Sequence, residues 1–253
     1  MTRRSSGGIA VLGVHRTAKH LYYFNGAGPW PGVTTITSVL DKPALSKWKL
    51  EQVAEAAVAN AERLVEDRDN GRTEAAVSWL VAGNTTARDR GSRIHQSIEW
   101  VLRRAENVPV DPRDVAAVEG ARTWLNTAGV KPIEIEAFLI NETLGYGGTL
   151  DLVAEIDGEV WLLDWKTSKT VATPSGVVYE DHRLQLAAYA HAEFIAKVGD
   201  GTRHPMPKIA RYGIVHITDG GTRLFEAKVT EDDWRVFRAC LFVHGWRKGG
   251  KAA

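Results

Sequence analysis

The chain has 253 residues and a formal net charge of +1, from 32 Lys and Arg against 31 Asp and Glu. Its 44% hydrophobic and 25% charged content is that of a globular protein and excludes wholesale disorder, while the balanced charge gives no overall basic excess of the kind that marks many nucleic-acid binders. The single cysteine, Cys240, excludes an internal disulfide, a Cys-rich zinc site and a Cys-ligated iron–sulfur cluster.

Residues 9–24 mix Val, Leu, Ile, Tyr and Phe and suit a short sheet. Asn25 to Gly32 holds three glycines and two prolines and reads as a turn-rich loop containing Trp30. The state of Val33–Leu40 is left open by its β-branched residues. An Ala/Leu/Glu/Lys-rich helix is expected over 44–66, then helices over 73–82 and 84–106 separated at Gly83-Asn84. A further helix fits 112–128, with Pro112 first and Gly129 as the stop. The period then changes. Ile133, Ile135, Ala137 and Leu139 alternate with Glu134, Glu136 and Phe138, and strands follow over 150–156 and 160–165. A helix is expected over 181–198, strands over 209–217 and 222–229, and a last helix over 230–247. This order implies an α/β fold with a mainly helical N-terminal half, residues 1–83, and a core over 84–253. With no Pro/Gly linker between them, the two are read as one integrated domain, 1–253. No run approaches the roughly 18 apolar residues of a membrane span. The basic Met1–Ser6 segment is followed by too short and Gly-rich a stretch for a signal-peptide core, so a soluble cytoplasmic protein is expected.

Asp157-Gly158 is the strongest short hairpin signal. As a two-residue turn it sets Ile156 against Glu159. Counting back along both strands then puts Asp151 directly opposite Asp164, with β-carbons about 4.5–5.5 Å apart. Lys166 follows Asp164 by two residues and shares its face. The other face carries Leu150, Leu152, Ala154, Ile156, Trp161, Leu163 and Trp165, a core surface. Two like charges opposite one another destabilise a sheet. Either Lys166 compensates in a purely structural ion-pair triad, or a divalent cation bridges the carboxylates and Lys166 acts on water or phosphate. Spacing alone does not choose between these.

Four segments in order carry a resemblance: Gly148-Thr149-Leu150-Asp151, Asp164-Trp165-Lys166, the helix Gln185-Leu186-Ala187-Ala188-Tyr189, and upstream Ala87 to His95. Together they resemble the RecB-like, phage exonuclease type branch of the PD-(D/E)xK nuclease superfamily over about residues 85–195. Val33–Leu45 is similar to the N-terminal part of phage-type members. The resemblance implies a restriction-endonuclease-like core, a mixed central sheet flanked by helices. It implies that Asp151, Asp164 and Lys166 are catalytic. It also implies that one or two Mg²⁺ or Mn²⁺ ions are held by His95, Glu136, Asp151, Asp164 and the backbone carbonyl of Trp165. Glu134 shares the strand face of Glu136, so the choice of auxiliary acid stays open. Gln185 and Tyr189, four apart on one helix face, would support the site or contact DNA, with Arg88 and Arg93 as further contacts. No proline precedes Asp151, unlike many members of this branch, and the four cysteines of cluster-bearing relatives are absent.

The resulting expectation is a metal-dependent DNA nuclease, an exonuclease rather than an endonuclease. It would act on DNA ends or single strands in phage or mobile-element recombination, repair or replication, in the host cytoplasm, with a single-strand annealing or recombination protein as companion. A non-catalytic DNA-end-binding module on the same fold is the alternative. A retaining glycosidase would also suit paired carboxylates, but gives no task to Lys166 or to the Gln185/Tyr189 helix. The remaining histidines show no ligand spacing. No G-x-x-x-x-G-K-[ST] or G-x-S-x-G motif occurs, so a phosphate loop and a nucleophile elbow are unsupported. Arg247, Lys248 and Lys251 form a basic tail.

Overall fold

The computed structural model describes residues 12–41, 43–168 and 178–249. Lys251 and residues 9–11 of the first strand-like run lie outside them.

A small antiparallel sheet opens the chain: β1 (Val14–Arg16), β2 (Leu21–Phe24) and β3 (Ala27–Pro31). The segment expected to be a loop thus contributes a strand. Asn25 and Gly26, both at positive φ, make the tight β2–β3 turn, and the chain beyond them is free to pair. Val33–Thr37 forms a short helix, α1. The helix expected over 44–66 is divided at Asn60 into α2 (Pro43–Ala59) and α3 (Ala61–Asp69). Conversely, Gly83-Asn84 interrupts nothing. α4 (Thr73–Leu102) runs 30 residues through it, since a glycine inside a long helix costs only about 1 kcal/mol. α5 (Val115–Thr127) begins after Pro112 rather than at it.

The second half builds a seven-stranded sheet from β4 (Lys131–Asn141), β5 (Tyr146–Ile156), β6 (Glu159–Thr167), β7 (Phe194–Lys197), β8 (Asp200–His204), β9 (Arg211–Thr218) and β10 (Gly221–Glu226). Its order is β10-β9-β6-β5-β4-β7-β8, with only the β6–β9 pair parallel. The β5–β6 hairpin turns at Asp157 (φ 51°) and Gly158 (φ 81°), the positive-φ pair that a two-residue turn requires. The expected register holds from Ile156/Glu159 to Leu152/Leu163.

Two helices are shorter or later than expected. α6 (Glu180–Ala190) stops before Phe194. The expected helix over 181–198 gives way to β7 because Phe194, Ile195 and Ala196 pair with Ile140, Leu139 and Phe138 of β4. A sheet ladder across an apolar edge outweighs the modest helix preference of this stretch. α7 (Glu231–Arg247) starts at a capping box, where Thr230 accepts from the Asp233 amide and Asp233 accepts from the Thr230 amide.

Helices cover both sheet faces. Leu184, Ala187 and Ala188 of α6, Trp234 and Phe237 of α7, and Val33 and Ile36 of α1 pack with Leu139, Leu150 and Leu162. On the other face Ile94 and Ile98 of α4 and Val118, Ala121 and Leu125 of α5 pack with Leu152, Leu163 and Trp165. The small sheet sits against one end of the large one through Val14, Tyr22 and Phe24 on Ile140 and Phe194.

One expectation about the faces fails in a way that locates the site. Leu150 was expected beside Leu152, yet the two enter opposite cores. On β4, Ile135 and Ala137 likewise part. The alternation slips on both strands at one cross-strand position, Glu136 with Asp151. Glu136 has φ 47°, a left-handed backbone that costs a non-glycine residue about 1–2 kcal/mol. The slip lets two acidic side chains escape both cores together.

Candidate metal and phosphate site

β5 carries Asp151, β6 carries Asp164 and Lys166, α4 brings His95 from one sheet face, and α6 brings Gln185 and Tyr189 from the other. Beyond Leu152/Leu163 the Asp151 carboxylate takes the place of a backbone partner. Trp165 donates its amide N–H to Asp151 Oδ2 at 2.7 Å. The backbone of Trp165 also bonds to His95, so this one residue ties the α4 and β5 side chains together.

His95, Glu136 and Asp151 each offer one ligand atom, and those atoms all lie within 4.8 Å of one another. His95 Nδ1 is 3.8 Å from Asp151 Oδ1. Glu134, the competing acid, instead pairs with Lys197 Nζ at 3.6 Å. Asp164 belongs to an adjacent set. Lys166 Nζ lies 2.5 Å from Asp164 Oδ2. Gln185 Nε2 donates to Asp164 Oδ1 at 2.8 Å and to Tyr189 Oη at 2.9 Å, while Gln185 Oε1 accepts from Lys166 Nζ at 3.4 Å. The amide therefore turns its oxygen to the ammonium and its NH₂ to the carboxylate, and holds both.

The electrostatics follow from crowding. Burial, then Glu99, lifts the Glu136 carboxyl to about 7 against the opposing pull of Arg16 and Arg103. Burial, then the charges of Asp164 and Glu136, raises Asp151 well above the usual carboxylate range. Burial lowers His95 to about 4, leaving a neutral imidazole. Burial also works against the Lys166 ammonium, but Asp164 and Asp151 more than offset it and its pKa is raised. The pocket thus has more carboxylate than one lysine neutralises. Asp164 Oδ2 is buried and faces the Lys166 ammonium at 2.5 Å. The clustered carboxylate donors of Glu136 and Asp151 and the neutral imidazole of His95 fit a divalent cation.

Two glycines make room for this arrangement. A Cβ on Gly148 would meet Tyr189 Cε1 at 2.6 Å, and one on Gly147 would meet the Tyr22 ring at 2.6 Å. Tyr22, from the small sheet, reaches Thr149 Oγ1 at 3.1 Å. Nothing in the sequence points to Tyr22 as the neighbour of Gly147.

The arginines divide. Arg88 is exposed on α4, and His20 is lowered by burial and then by Arg16 and Arg88. Arg93 is engaged elsewhere. With Arg90 it holds Asp114, which is 1% exposed, at 2.9 and 3.0 Å. That network fastens α4 to the start of α5. Trp246 is exposed, whereas Trp30 and Trp100 are partly buried.

A seven-stranded mixed sheet clasped by helices thus brings together Asp151, the Asp164-Trp165-Lys166 segment and the Gln185/Tyr189 pair. The model of the PD-(D/E)XK nuclease superfamily matches residues 14–237, and the chain belongs to that superfamily. It is 31% identical over 109 residues to "Mitochondrial genome maintenance exonuclease 1" of Homo sapiens, covering 41% of this chain and 30% of that protein. It thus spans under a third of that curated relative. A solved structure described as "Crystal structure of SSO0001" is matched at TM-score 0.34 and 14% identity over 81% of this chain and 86% of that one. Among the described residues no helix is long and apolar enough to cross a membrane.

Proposed function

We propose that the protein is a divalent-metal-dependent DNA nuclease of the RecB-like branch, working as an exonuclease on linear DNA in phage or mobile-element recombination, repair or replication. The observation that carries the reading is the contact of Lys166 and Gln185 with Asp164 immediately beside the His95, Glu136 and Asp151 donor set. The exonuclease reading draws support from the human relative, whose name describes an exonuclease. We read the chain as one integrated nuclease domain, because α4 continues through the boundary at residue 83.

Asp151, Glu136, His95 and Asp164, with the Trp165 carbonyl, would hold the cation. When bound, a divalent cation supplies Lewis-acid charge stabilisation and a lowered water pKa. The chain's own groups then have distinct tasks. Lys166, kept as an ammonium by Asp164 and Asp151, donates to a phosphate oxygen and stabilises the charge that develops there, rather than serving as the base. Gln185 fixes the Lys166 and Asp164 side chains in one orientation. Tyr189 fixes Gln185 in turn, so α6 sets the geometry without supplying a reacting atom.

The test is digestion of end-labelled linear DNA and of closed circular DNA with Mg²⁺, Mn²⁺ or EDTA. Metal-dependent loss of linear DNA, with circles spared and with Asp164→Ala and Lys166→Ala inactive, is expected. Wild-type activity in those variants would refute the site. End binding without cleavage would favour the non-catalytic module.

A further inference from the structure

α7 changes character along its length. Its first turn carries Glu231, Asp232 and Asp233, and from Trp234 to Gly249 there is no acidic residue. The inward side chains Trp234, Phe237 and Cys240 join the core that α6 and α1 share. Outward, Arg235, Arg238, Phe242 and Trp246 follow one another at three, four and four residues, the spacings that keep to one helix face. Phe242 is 67% and Trp246 68% exposed, more than any other Phe, Tyr or Trp among the described residues. Arg235 pairs with Asp232 at 3.1 Å. Arg238 is exposed, as are Arg247 and Lys248 at the end of the helix, and none of the three makes an ion pair among the described residues.

Free cations with no acid among them are complementary to a polyanion, and flat exposed rings to an occupant with flat apolar faces of its own. Unpaired bases on a phosphate backbone supply both. The two rings lie about 6 Å apart along the helix axis, wider than the ~3.4 Å step between stacked bases, so they suit bases that have come unstacked. We propose that this face of α7 is a holding surface for single-stranded DNA, with bases stacked on Phe242 and Trp246 and phosphates at Arg238, Arg247 and Lys248. This deepens the nuclease reading and rests on it for the choice of DNA. The surface shares no residue with the Asp151, Asp164 and Lys166 site, so it retains strand and supplies no reacting group.

The test is made without catalysis, in EDTA, by fluorescence anisotropy of a labelled oligo(dT) of about 30 nucleotides. Phe242→Ala and Trp246→Ala should each lose about tenfold in affinity, and Trp246→Phe, which keeps a ring, about threefold or less. Val236→Ala is the control and should bind as the wild type does, because Val236 is exposed on α7 but lies off the stripe. Arg238→Gln should flatten the log–log salt dependence by about 0.7, the share of one phosphate contact on a single strand. A blunt duplex of the same length should compete weakly. Wild-type protein that fails to bind the oligonucleotide, or equal affinity in wild type, Phe242→Ala and Trp246→Ala, overturns the surface. If those two variants instead lose a dimer seen in sedimentation, or binding to phosphatidylserine vesicles, at unchanged oligonucleotide affinity, the face belongs to a second copy or to a lipid surface and the proposal is also overturned. No arm depends on cleavage, so failure of the nuclease reading itself would show separately, as wild-type protein that leaves linear DNA intact with Mg²⁺ and Mn²⁺.

Discussion

Replacing Glu136 with Gln in the metal-free protein measures the cost of crowding carboxylates where the two strands change faces. Burial and Glu99 carry this carboxyl from 4.5 to about 7. Between those values the folded protein keeps a proton that the unfolded chain has released. A group of this sign lowers stability as pH rises through the window, and the whole cost is present above it. One pKa unit corresponds to about 1.36 kcal/mol, so the full cost is about 3 kcal/mol. Glu136→Gln keeps the shape and carries no titrating proton. Urea unfolding in EDTA should find the variant and wild type converging near pH 4.5, with the variant more stable by about 3 kcal/mol at pH 8. In a thermal scan at pH 8 this is roughly 6–12 °C. Mn²⁺ should reverse the order, because the wild type binds it with one more carboxylate. His95 supplies the opposite sign. Its pKa falls from 6.5 to about 4 because of burial. The unfolded chain therefore takes up the proton first as pH drops, and the cost appears at low pH. His95→Gln should match wild type in pH dependence above about pH 6.5 and gain on it toward pH 4. A stability difference that is constant with pH for both variants, or slopes of the same sign, would refute the electrostatic account.

Other outcomes follow from the same contacts. Asp151→Asn should abolish the rise in melting temperature that Mn²⁺ produces in the wild type, as read by differential scanning fluorimetry. Gly148→Ala should cost about 1–3 kcal/mol in urea unfolding, because its Cβ would meet the Tyr189 ring at 2.6 Å. Gln185→Met should lower kcat on linear DNA about 10–100-fold with little change in KM, since the side chain orients Lys166 and Asp164 from behind. Asp114→Ala should destabilise the protein by about 1–3 kcal/mol in urea unfolding, because it removes the buried carboxylate that Arg90 and Arg93 share, while Asp219 and Asp111 still face them.

Where local rules act alone, the sequence was readable. Asp157-Gly158 dictates a positive-φ turn, the turn dictates the register, and the register brings Asp151, Asp164 and Lys166 to one end of the hairpin. Where distant partners decide, it was not. The stretch from Phe194 to Lys197 has an acceptable helical pattern. Pairing with β4 on one edge and β8 on the other makes it a strand, and β4 lies more than fifty residues earlier. The pairing of Arg93 with Asp114 was not legible for a similar reason, since it is set by how α5 packs on α4.

The misplaced Leu150 is the more instructive case. Period-two alternation assumes that every residue of a strand obeys the same pleat. At Glu136 and Asp151 both strands break that rule together, and the cost of a left-handed glutamate is borne by the cores on either side. A uniform pleat would have sent Leu150 and Leu152 to one core, and would have left Asp151 facing the other core beside Val153. The slip instead turns Asp151 toward His95 and the Trp165 amide, and brings Glu136 to the same donor set. The error in the pattern and the position of the site therefore have one cause. Local sequence rules fail here because the fold gives up a regular pleat to turn Asp151 and Glu136 toward His95.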